Sequence, residues 1–436
     1  MSIYSVGFYT LGCKVSQYET EAMSEIFEKL GFRISDYNEV CDVYVINTCT
    51  VTAESDRKSR QIIRRAKEKN PSAVIMVCGC YSQRSPEEVA AIDGVSYVCG
   101  TNGKTEMAEK ALQILNRNGE SITRINVSSL DKAKFEKMSI LTAPRTRAYL
   151  KIEDGCDCRC TYCAIPDARG PVRSKPKDEV IAEINALSDG GTKEIVLTGI
   201  ETASYGSDFG GYGLIDLLEE IEEKSSVERI RLSSLTPEIL RDDFIHRICA
   251  LKKPVPHFHI SMQSGSNNVL RAMKRRYNTE QVLKAMEHMR SHRPEVMFTT
   301  DMMVGFPGES DSDFEDTLEF TGKAGFLDMH VFAYSKRKNT PAALYAYQID
   351  EKIKRSRSER LCKLRDEITA KILAGVVSEK RKLSVVFETY SDGIMTGHSA
   401  EYIKVSAPSD KNIHGEIKTV IPQAVGEKQI FAEIAE

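Results

Sequence analysis

The stretch Tyr149-Leu150-Lys151-Ile152-Glu153-Asp154-Gly155-Cys156-Asp157-Cys158-Arg159-Cys160-Thr161-Tyr162-Cys163 runs from a strand-like segment straight into a cluster of thiols. Tyr149 to Glu153 reads as a strand, and further strand candidates recur downstream at Glu194 to Thr198, Arg229 to Ser233, Phe258 to Met262, Phe298 to Val304 and Met329 to Tyr334. Amphipathic stretches separate them: Pro176 to Ser188, Leu214 to Lys224, Pro237 to Leu251, Thr279 to Ser291 and Asp311 to Lys323. Right-handed crossovers wind such units into a barrel. Six units, where closure takes about eight, predict a partial (β/α)6 barrel. Chemistry in such barrels sits in the loops at the C-terminal ends of the strands, which is where the thiols fall.

Upstream, the apolar runs Ser5 to Thr10, Asp42 to Asn47, Ala73 to Gly79 and Ser96 to Cys99 alternate with the amphipathic stretches Val15 to Leu30, Ala53 to Lys69 and Ser85 to Ile92. This pattern predicts an open parallel sheet of the α/β class. Asn116 to Thr146 is polar and irregular, and reads as a connecting arm. Beyond a charged helix from Asp350 to about Lys380 the pattern turns to strands without helices: Leu383 to Thr389, Ile394 to Gly397, Tyr402 to Val405, Glu416 to Ile421 and Ile430 to Ile434. These predict a small all-β barrel, a fold frequent among nucleic-acid binders. The expected organisation is therefore an α/β domain over residues 1–120, a linker over 121–145, the partial barrel over 146–372 and the β tail over 375–436.

The 60 Lys and Arg nearly balance 63 Asp and Glu, for a net charge of −3, which argues against binding nucleic acid through bulk positive charge. Local patches remain: Arg57 to Lys69 and Lys352 to Arg365 each carry seven basic residues and one acid. Both read first as solvated helix faces, and second as phosphate contacts. The N-terminus lacks a signal-peptide pattern and no run reaches the length of a membrane span, so a cytoplasmic protein with no membrane partner is expected. In a reducing compartment the twelve cysteines are poor disulfide candidates, which leaves metal ligation, redox chemistry or packing.

Cys156, Cys160 and Cys163 form a C-x3-C-x2-C triplet able to hold three corners of a cubane iron–sulfur cluster and leave the fourth iron open. The competing reading is a closed zinc site with Cys158 as fourth donor. Four thiols in eight residues leave little backbone slack for a tetrahedron. Cys13, Cys49 and Cys80 each follow an expected strand of the first sheet, so they can meet at its carboxyl edge and form a second three-cysteine set. Cys78 is expected to face away from Cys80, and Cys41, Cys99, Cys249 and Cys362 to be packing residues. His257 and His259 share a strand face, with a packed or pocket-lining role expected.

Six segments carry a resemblance to a known family: Thr10 to Thr20 (TLGCKVSQYET), Asn47 to Val51 (NTCTV), Gly79 to Gln83 (GCYSQ), Cys156 to Pro166, Arg169 to Ser174 (RGPVRS) and Thr300 to Glu309 (TDMMVGFPGE). They resemble the radical S-adenosylmethionine (SAM) methylthiotransferases, most like the branch acting on N6-threonylcarbamoyladenosine at position 37 of tRNA, and the β tail resembles the RNA-binding TRAM domain. The resemblance implies a radical SAM barrel in which Cys156, Cys160 and Cys163 are catalytic. They would hold a [4Fe–4S] cluster that binds SAM and cleaves it to a 5′-deoxyadenosyl radical. It implies that Cys13, Cys49 and Cys80 hold a second [4Fe–4S] cluster bearing the sulfur to be inserted at C2 of adenine. Thr198, Gly199, Ser233, Gln263 and Asp301, near strand ends, would contact SAM. The implied partners are the tRNA anticodon stem-loop, an electron donor of flavodoxin or ferredoxin type, and a sulfur source. Ser16 and Glu201 stand where the family often has Asn, and Cys158 adds a thiol that makes C-x-C-x-C an alternative triplet. Rival readings are a relative acting on isopentenyl-type adenosine or on a ribosomal-protein aspartate, and a zinc-holding RNA-binding protein without catalysis.

Overall fold

The computed structural model describes residues 4–116, 124–142 and 145–435. In the N-terminal part the elements are β1 (Ser5–Thr10), α1 (Lys14–Lys29), β2 (Arg33–Ser35), β3 (Val43–Thr48), α2 (Ala53–Lys69), β4 (Val74–Gly79), α3 (Cys80–Arg84), α4 (Pro86–Ala90), β5 (Val95–Cys99), α5 (Met107–Leu115) and β6 (Ile125–Asn126). They build a six-stranded sheet in the order β2-β1-β3-β4-β5-β6, with every pairing parallel. The near-continuous apolar runs of β3 and β4 follow from burial on both faces by helices. The open parallel sheet is as expected, with two short strands, β2 and β6, added at its edges.

The next elements are β7 (Arg147–Lys151), β8 (Glu153–Asp154), α6 (Ile165–Arg169), β9 (Arg173–Ser174), α7 (Lys177–Asp189), β10 (Glu194–Thr198), α8 (Leu214–Lys224), β11 (Arg229–Leu232), α9 (Asp242–Ala250), β12 (His257–Gln263), α10 (Asn267–Ala272), α11 (Thr279–His292), β13 (Met297–Val304), α12 (Asp311–Ala324) and β14 (Asp328–Ala333). β7, β10 and β11 form one parallel sheet and β12, β13 and β14 another, joined through isolated bridges Ile230–Pro254 and Leu235–Ile260. The six strands expected from the sequence thus make the partial barrel, and α1 packs against β7. The helix expected over Pro237 to Leu251 is broken at Leu240 and Arg241, whose backbones leave the helical region, so α9 begins only at Asp242.

The connecting arm expected over 121–145 needs correction where it is described. Ile125–Asn126 joins the first sheet, and Met138 and Ile140 are buried, with the Met138 carbonyl accepting from Tyr18 Oη at 2.6 Å and from Lys175 Nζ at 3.0 Å. Residues 117–123 and 143–144 of that stretch lie outside the described residues.

The helix α13 (Glu351–Ser378) leads into β15 (Leu383–Ser391), β16 (Ile394–Ser399), β17 (Lys404–Pro408), β18 (Ile417–Gly426) and β19 (Gln429–Ile434), which close a five-stranded barrel. α13 runs past the boundary expected at 372. Its basic stretch is only partly committed: Lys354 and Arg357 are buried and Arg357 pairs with Glu309 and Asp311, whereas Lys352, Arg355, Arg360 and Lys363 stay exposed, Arg360 pairing with Glu315 at the surface. The stretch on α2 likewise keeps four basic residues exposed, Arg57, Lys58, Arg64 and Arg65.

The tail barrel docks beneath the partial barrel through charge and stacking. The buried Glu194 carboxylate meets Arg147 at 2.8 Å, Arg231 at 2.7 Å and Arg229 at 3.6 Å. Those arginines reach the tail at Glu388, at Ser384 and at the Ser399 and Ala400 carbonyls. Tyr402 stacks between His257 at 4.6 Å and His398 at 5.0 Å, with the Arg231 guanidinium over its ring. Burial alone would raise the Glu194 carboxyl, but Arg231, Arg147 and Arg229 hold it down to about 2. A depressed carboxylate contributes stability that is complete above its ordinary value of 4.5 and lost as pH falls toward 2. Glu194→Gln is expected to cost about 3–5 kcal/mol, as removal of one partner from a buried ionic cluster does. Denaturant unfolding at pH 7 reads that cost, and the variant's stability should then change less than the parent's between pH 5 and pH 3.

Candidate active site at the strand ends

The cysteine loop leaves β8 through Gly155, whose φ is +93°. The Cys156 N–H donates to the Gly170 carbonyl, and the Cys163 N–H to the Cys160 carbonyl. Thr161 fastens the loop to α10 through the Ala272 carbonyl at 3.0 Å and through its N–H to the Met273 carbonyl at 3.2 Å. Arg275 donates to Cys160 Sγ at 3.2 Å and is held by Tyr277 Oη and the Ser261 carbonyl, each at 2.8 Å. The Ile165 N–H donates to Cys163 Sγ at 3.4 Å. Burial raises the Cys163 thiol to about 12. A hydrogen bond from Cys156 holds Cys158 down to about 7, with Arg275 nearby, while it pushes Cys156 up.

Cys158 also lines a cleft of about 980 Å³ together with Ser204, Thr236, Glu238, Arg276 and Tyr277, a volume in the range of small-molecule sites. Beside it the Glu201 carboxyl, which accepts from the Thr236 N–H, is raised to about 8 by burial and by the neighbouring Cys158. Glu153 is fully buried. Its Oε2 accepts the Glu201 N–H at 2.8 Å, and its Oε1 has no partner among the described residues.

In the first sheet Cys49 and Cys80 lie directly after β3 and β4, and Cys13 lies three residues past β1 at the N-cap of α1; the three strands are neighbours, so the thiols reach one edge. Burial pushes Cys49 up to about 11, and the adjacent Cys80 and Cys13 add to that. Cys80 opens α3 because Gly79, at φ +100°, turns the chain against Asn47 and Thr48, where a Cβ would come within 2.4 Å of the Thr48 carbonyl oxygen.

Arg169, at the end of α6, connects the two thiol sets. Fully buried, it donates from Nε to Cys80 Sγ at 3.2 Å, from Nη1 to Glu19 at 2.6 Å and to Asp154 at 3.3 Å, and from Nη2 to Glu19 at 3.2 Å. Lys104 and Lys151 also reach Glu19, and Lys151 and Arg173 reach Asp154. Burial would raise Glu19, but Arg169, Lys104 and Lys151 hold it well below the usual carboxylate range. Four cations, Arg169, Lys104, Lys151 and Arg173, thus face the carboxylates Glu19 and Asp154, with Glu136 also acting on Lys104, so buried positive charge outnumbers negative beside Cys80. Such a surplus suits thiolates and an anionic cluster, because ligating thiols must be deprotonated.

Three unpaired thiols at one sheet edge and three in one loop are the donor sets that a [4Fe–4S] group takes, each thiolate on its own iron and one iron left open.

The residues expected to contact SAM are dispersed around the barrel mouth. Thr198 ends β10, and Gly199 packs so closely on Glu153 that a Cβ would come within 2.5 Å of its Oε2. Ser233 follows β11, and Gln263 ends β12 with φ +69°. Asp301 is mid-strand in β13 instead of at its end, where it pairs with His259 Nε2 at 3.2 Å and His330 Nδ1 at 3.3 Å. His257 and His259 share Thr299 Oγ1, each at 2.9 Å. Cys41, Cys78 and Cys99 are buried, whereas Cys249 and Cys362 are half-buried. Arg169, Arg275, Glu19, Lys104 and Lys151 were not among the expected site residues. Arg169 and Glu19 carried a signal, as the first residue of RGPVRS and as the glutamate of TLGCKVSQYET; the others did not.

The family described as Radical SAM superfamily matches residues 150–321, and residues 5–100 match the one described as Uncharacterized protein family UPF0004. A solved radical SAM methyltransferase, TsrM from Kitasatospora setae, superposes with a TM-score of 0.58 at 15% identity, covering 91% of this chain and 81% of its own, and so supports the fold. Partial barrel, thiol loop and family match together define a radical SAM enzyme. The threonylcarbamoyladenosine tRNA methylthiotransferase MtaB of Bacillus subtilis (strain 168) is 41% identical over 95% of this chain and 93% of its own length. Its counterpart in Aquifex aeolicus (strain VF5) is 37% identical over 89% and 95%. A tRNA-2-methylthio-N(6)-dimethylallyladenosine synthase of Acetivibrio thermocellus is 30% identical over 94% and 87%. The chain belongs to the radical SAM tRNA methylthiotransferase family. Membership brings SAM and a [4Fe–4S] cluster, and no described helix is long and apolar enough to cross a membrane.

Proposed function

We propose that the chain inserts a methylthio group at C2 of N6-threonylcarbamoyladenosine at position 37 of tRNA. The observation that carries this reading is end-to-end similarity, at 41% identity, to an enzyme named for that substrate. Cys156, Cys160 and Cys163 would hold the SAM-binding cluster, and Cys13, Cys49 and Cys80 a second one beside the Arg169 surplus. When bound, these groups supply one-electron cleavage of SAM and the sulfur to be inserted.

The chain's own residues do the rest. Arg275 and the Ile165 N–H donate to ligand sulfurs and fix the cysteine loop. Glu153 Oε1, which has no partner among the described residues and lies near Glu201, would offer a buried oxygen to the SAM ammonium group. Thr198, Gly199, Ser233, Gln263 and Asp301 would line the remaining approach. The exposed basic face of α2 and the tail barrel would grip the anticodon stem-loop by its phosphates, leaving the unpaired adenosine at the barrel mouth. An external one-electron donor of flavodoxin or ferredoxin type and a sulfur source complete the cycle.

Cys158→Ser is expected to keep iron content and activity within about threefold, whereas Cys156→Ser should lose about half of the iron and the activity with it, since a missing thiolate removes a corner of one of the two clusters. Equal loss in both would make Cys158 the ligand. The substrate reading is tested by digesting tRNA from a strain deleted for this gene. The 2-methylthio-threonylcarbamoyl nucleoside should disappear and return on complementation. Its persistence where no second such enzyme is present, or loss of the isopentenyl-type nucleoside instead, would overturn it.

A further inference from the structure

On the outer face of the partial barrel α9 and α11 pack together, and three histidines meet at their contact. His288 and His292 sit one turn apart on α11 and share a face, and His246 reaches across from α9. Their ring nitrogens lie within 4.8 Å of one another. The ring centroids are 4.7 to 5.2 Å apart, and each pair is edge-on instead of stacked, which lets the nitrogens converge.

The hydrogen bonds around the trio fix which nitrogens are available. His288 Nδ1 lies 3.0 Å from Asp242 Oδ1, and His292 Nδ1 lies 3.0 Å from the His288 carbonyl oxygen. Both oxygens are acceptors, so each Nδ1 carries a proton, and in the neutral ring the Nε2 lone pair is the one left for a ligand. A metal-bound histidine is usually held this way by a carboxylate or a carbonyl behind it.

We propose that His246, His288 and His292 form a binding site for one divalent transition ion of the zinc class, with Asp242 and the His288 carbonyl orienting the ligands. Three neutral imidazoles favour Zn²⁺, Ni²⁺ or Cu²⁺ over Mg²⁺ or Ca²⁺, which take oxygen donors. A tetrahedral Zn²⁺ at about 2.0–2.1 Å from each nitrogen brings them to about 3.3 Å apart, within reach of side-chain rotation alone. The fourth position is left to water. Asp243 and Ala285, each three residues before a ligand, line the cleft that also holds Cys158. An ion here would therefore clamp the two helices that wall that cleft.

The test is a titration of the untagged, cluster-loaded protein with ZnCl₂ under anaerobic conditions, followed by calorimetry and by thermal unfolding. One equivalent should bind and raise the unfolding temperature. His246→Gln, His288→Gln and His292→Gln should each weaken binding at least tenfold and abolish the shift, and Asp242→Asn should weaken it by a smaller factor. These exposed and half-buried side chains leave the fold intact, so unliganded variants should unfold as the parent does. Absence of binding at 100 μM Zn²⁺, or binding unchanged in the His288→Gln/His292→Gln double variant, would overturn the site.

Discussion

Replacing Arg169 with Met is expected to abolish methylthio insertion, by on the order of 100-fold or more, and to destabilise the protein by about 3–5 kcal/mol. The energetic part follows from breaking a buried ionic cluster by removing one partner. Glu19 loses its forked partner, and Asp154 loses one of three cations. The chemical part follows from Cys80, which loses the only N–H aimed at its sulfur among the described residues and the guanidinium charge beside it. Arg169→Lys preserves charge but not the fork that bridges sulfur and carboxylates, so it should recover stability more than activity. Unfolding midpoints together with iron analysis separate the two effects: Met should lower both, and Lys mainly the rate. An Arg169→Met protein with parental stability and iron content would remove the bridging role.

Gly155→Ala should be nearly as damaging although it removes nothing. The residue holds φ +93°, and a Cβ there would stand 2.0 Å from the Pro171 carbonyl oxygen and 2.8 Å from that of Gly170. Both are backbone atoms of the segment that receives the Cys156 N–H, so neither can rotate aside. The loop must shift, carrying Cys156 away from Cys160 and Cys163. Iron content should fall from about eight to about four per chain, the loss of one [4Fe–4S] unit, with SAM cleavage lost alongside. An alanine variant with full iron and normal turnover would show that the loop tolerates the displacement.

The sequence was most informative where one periodicity ran uninterrupted. β10 and α8 fall where the pattern places them, because burial of each apolar face fixes period and ends together. β2 was missed because Arg33-Ile34-Ser35 is a short exposed edge with no apolar pattern to detect. The break before α9 was hidden by helix-like composition, and the packing of Met138 and Ile140 by polar neighbours. At the site, the cysteines announced themselves through spacing and through their places after strands. Arg169 and Arg275 did not, because a long side chain can serve a sulfur 89 or 115 residues away and nothing local marks it. The histidine trio escaped for the same reason, since His246 lies on a different helix from the other two.

Division of labour between the two thiol sets is the centre of the account, and one measurement addresses it. The Cys13→Ala/Cys49→Ala/Cys80→Ala protein, reconstituted with iron and sulfide and given SAM, a reductant and tRNA bearing N6-threonylcarbamoyladenosine, should hold about four irons where the parent holds about eight. It should still release methionine and 5′-deoxyadenosine from SAM while forming no 2-methylthio nucleoside. Methylthio product from this variant, or loss of SAM cleavage with the barrel cysteines and the fold intact, would contradict the assignment of separate tasks to the two sets.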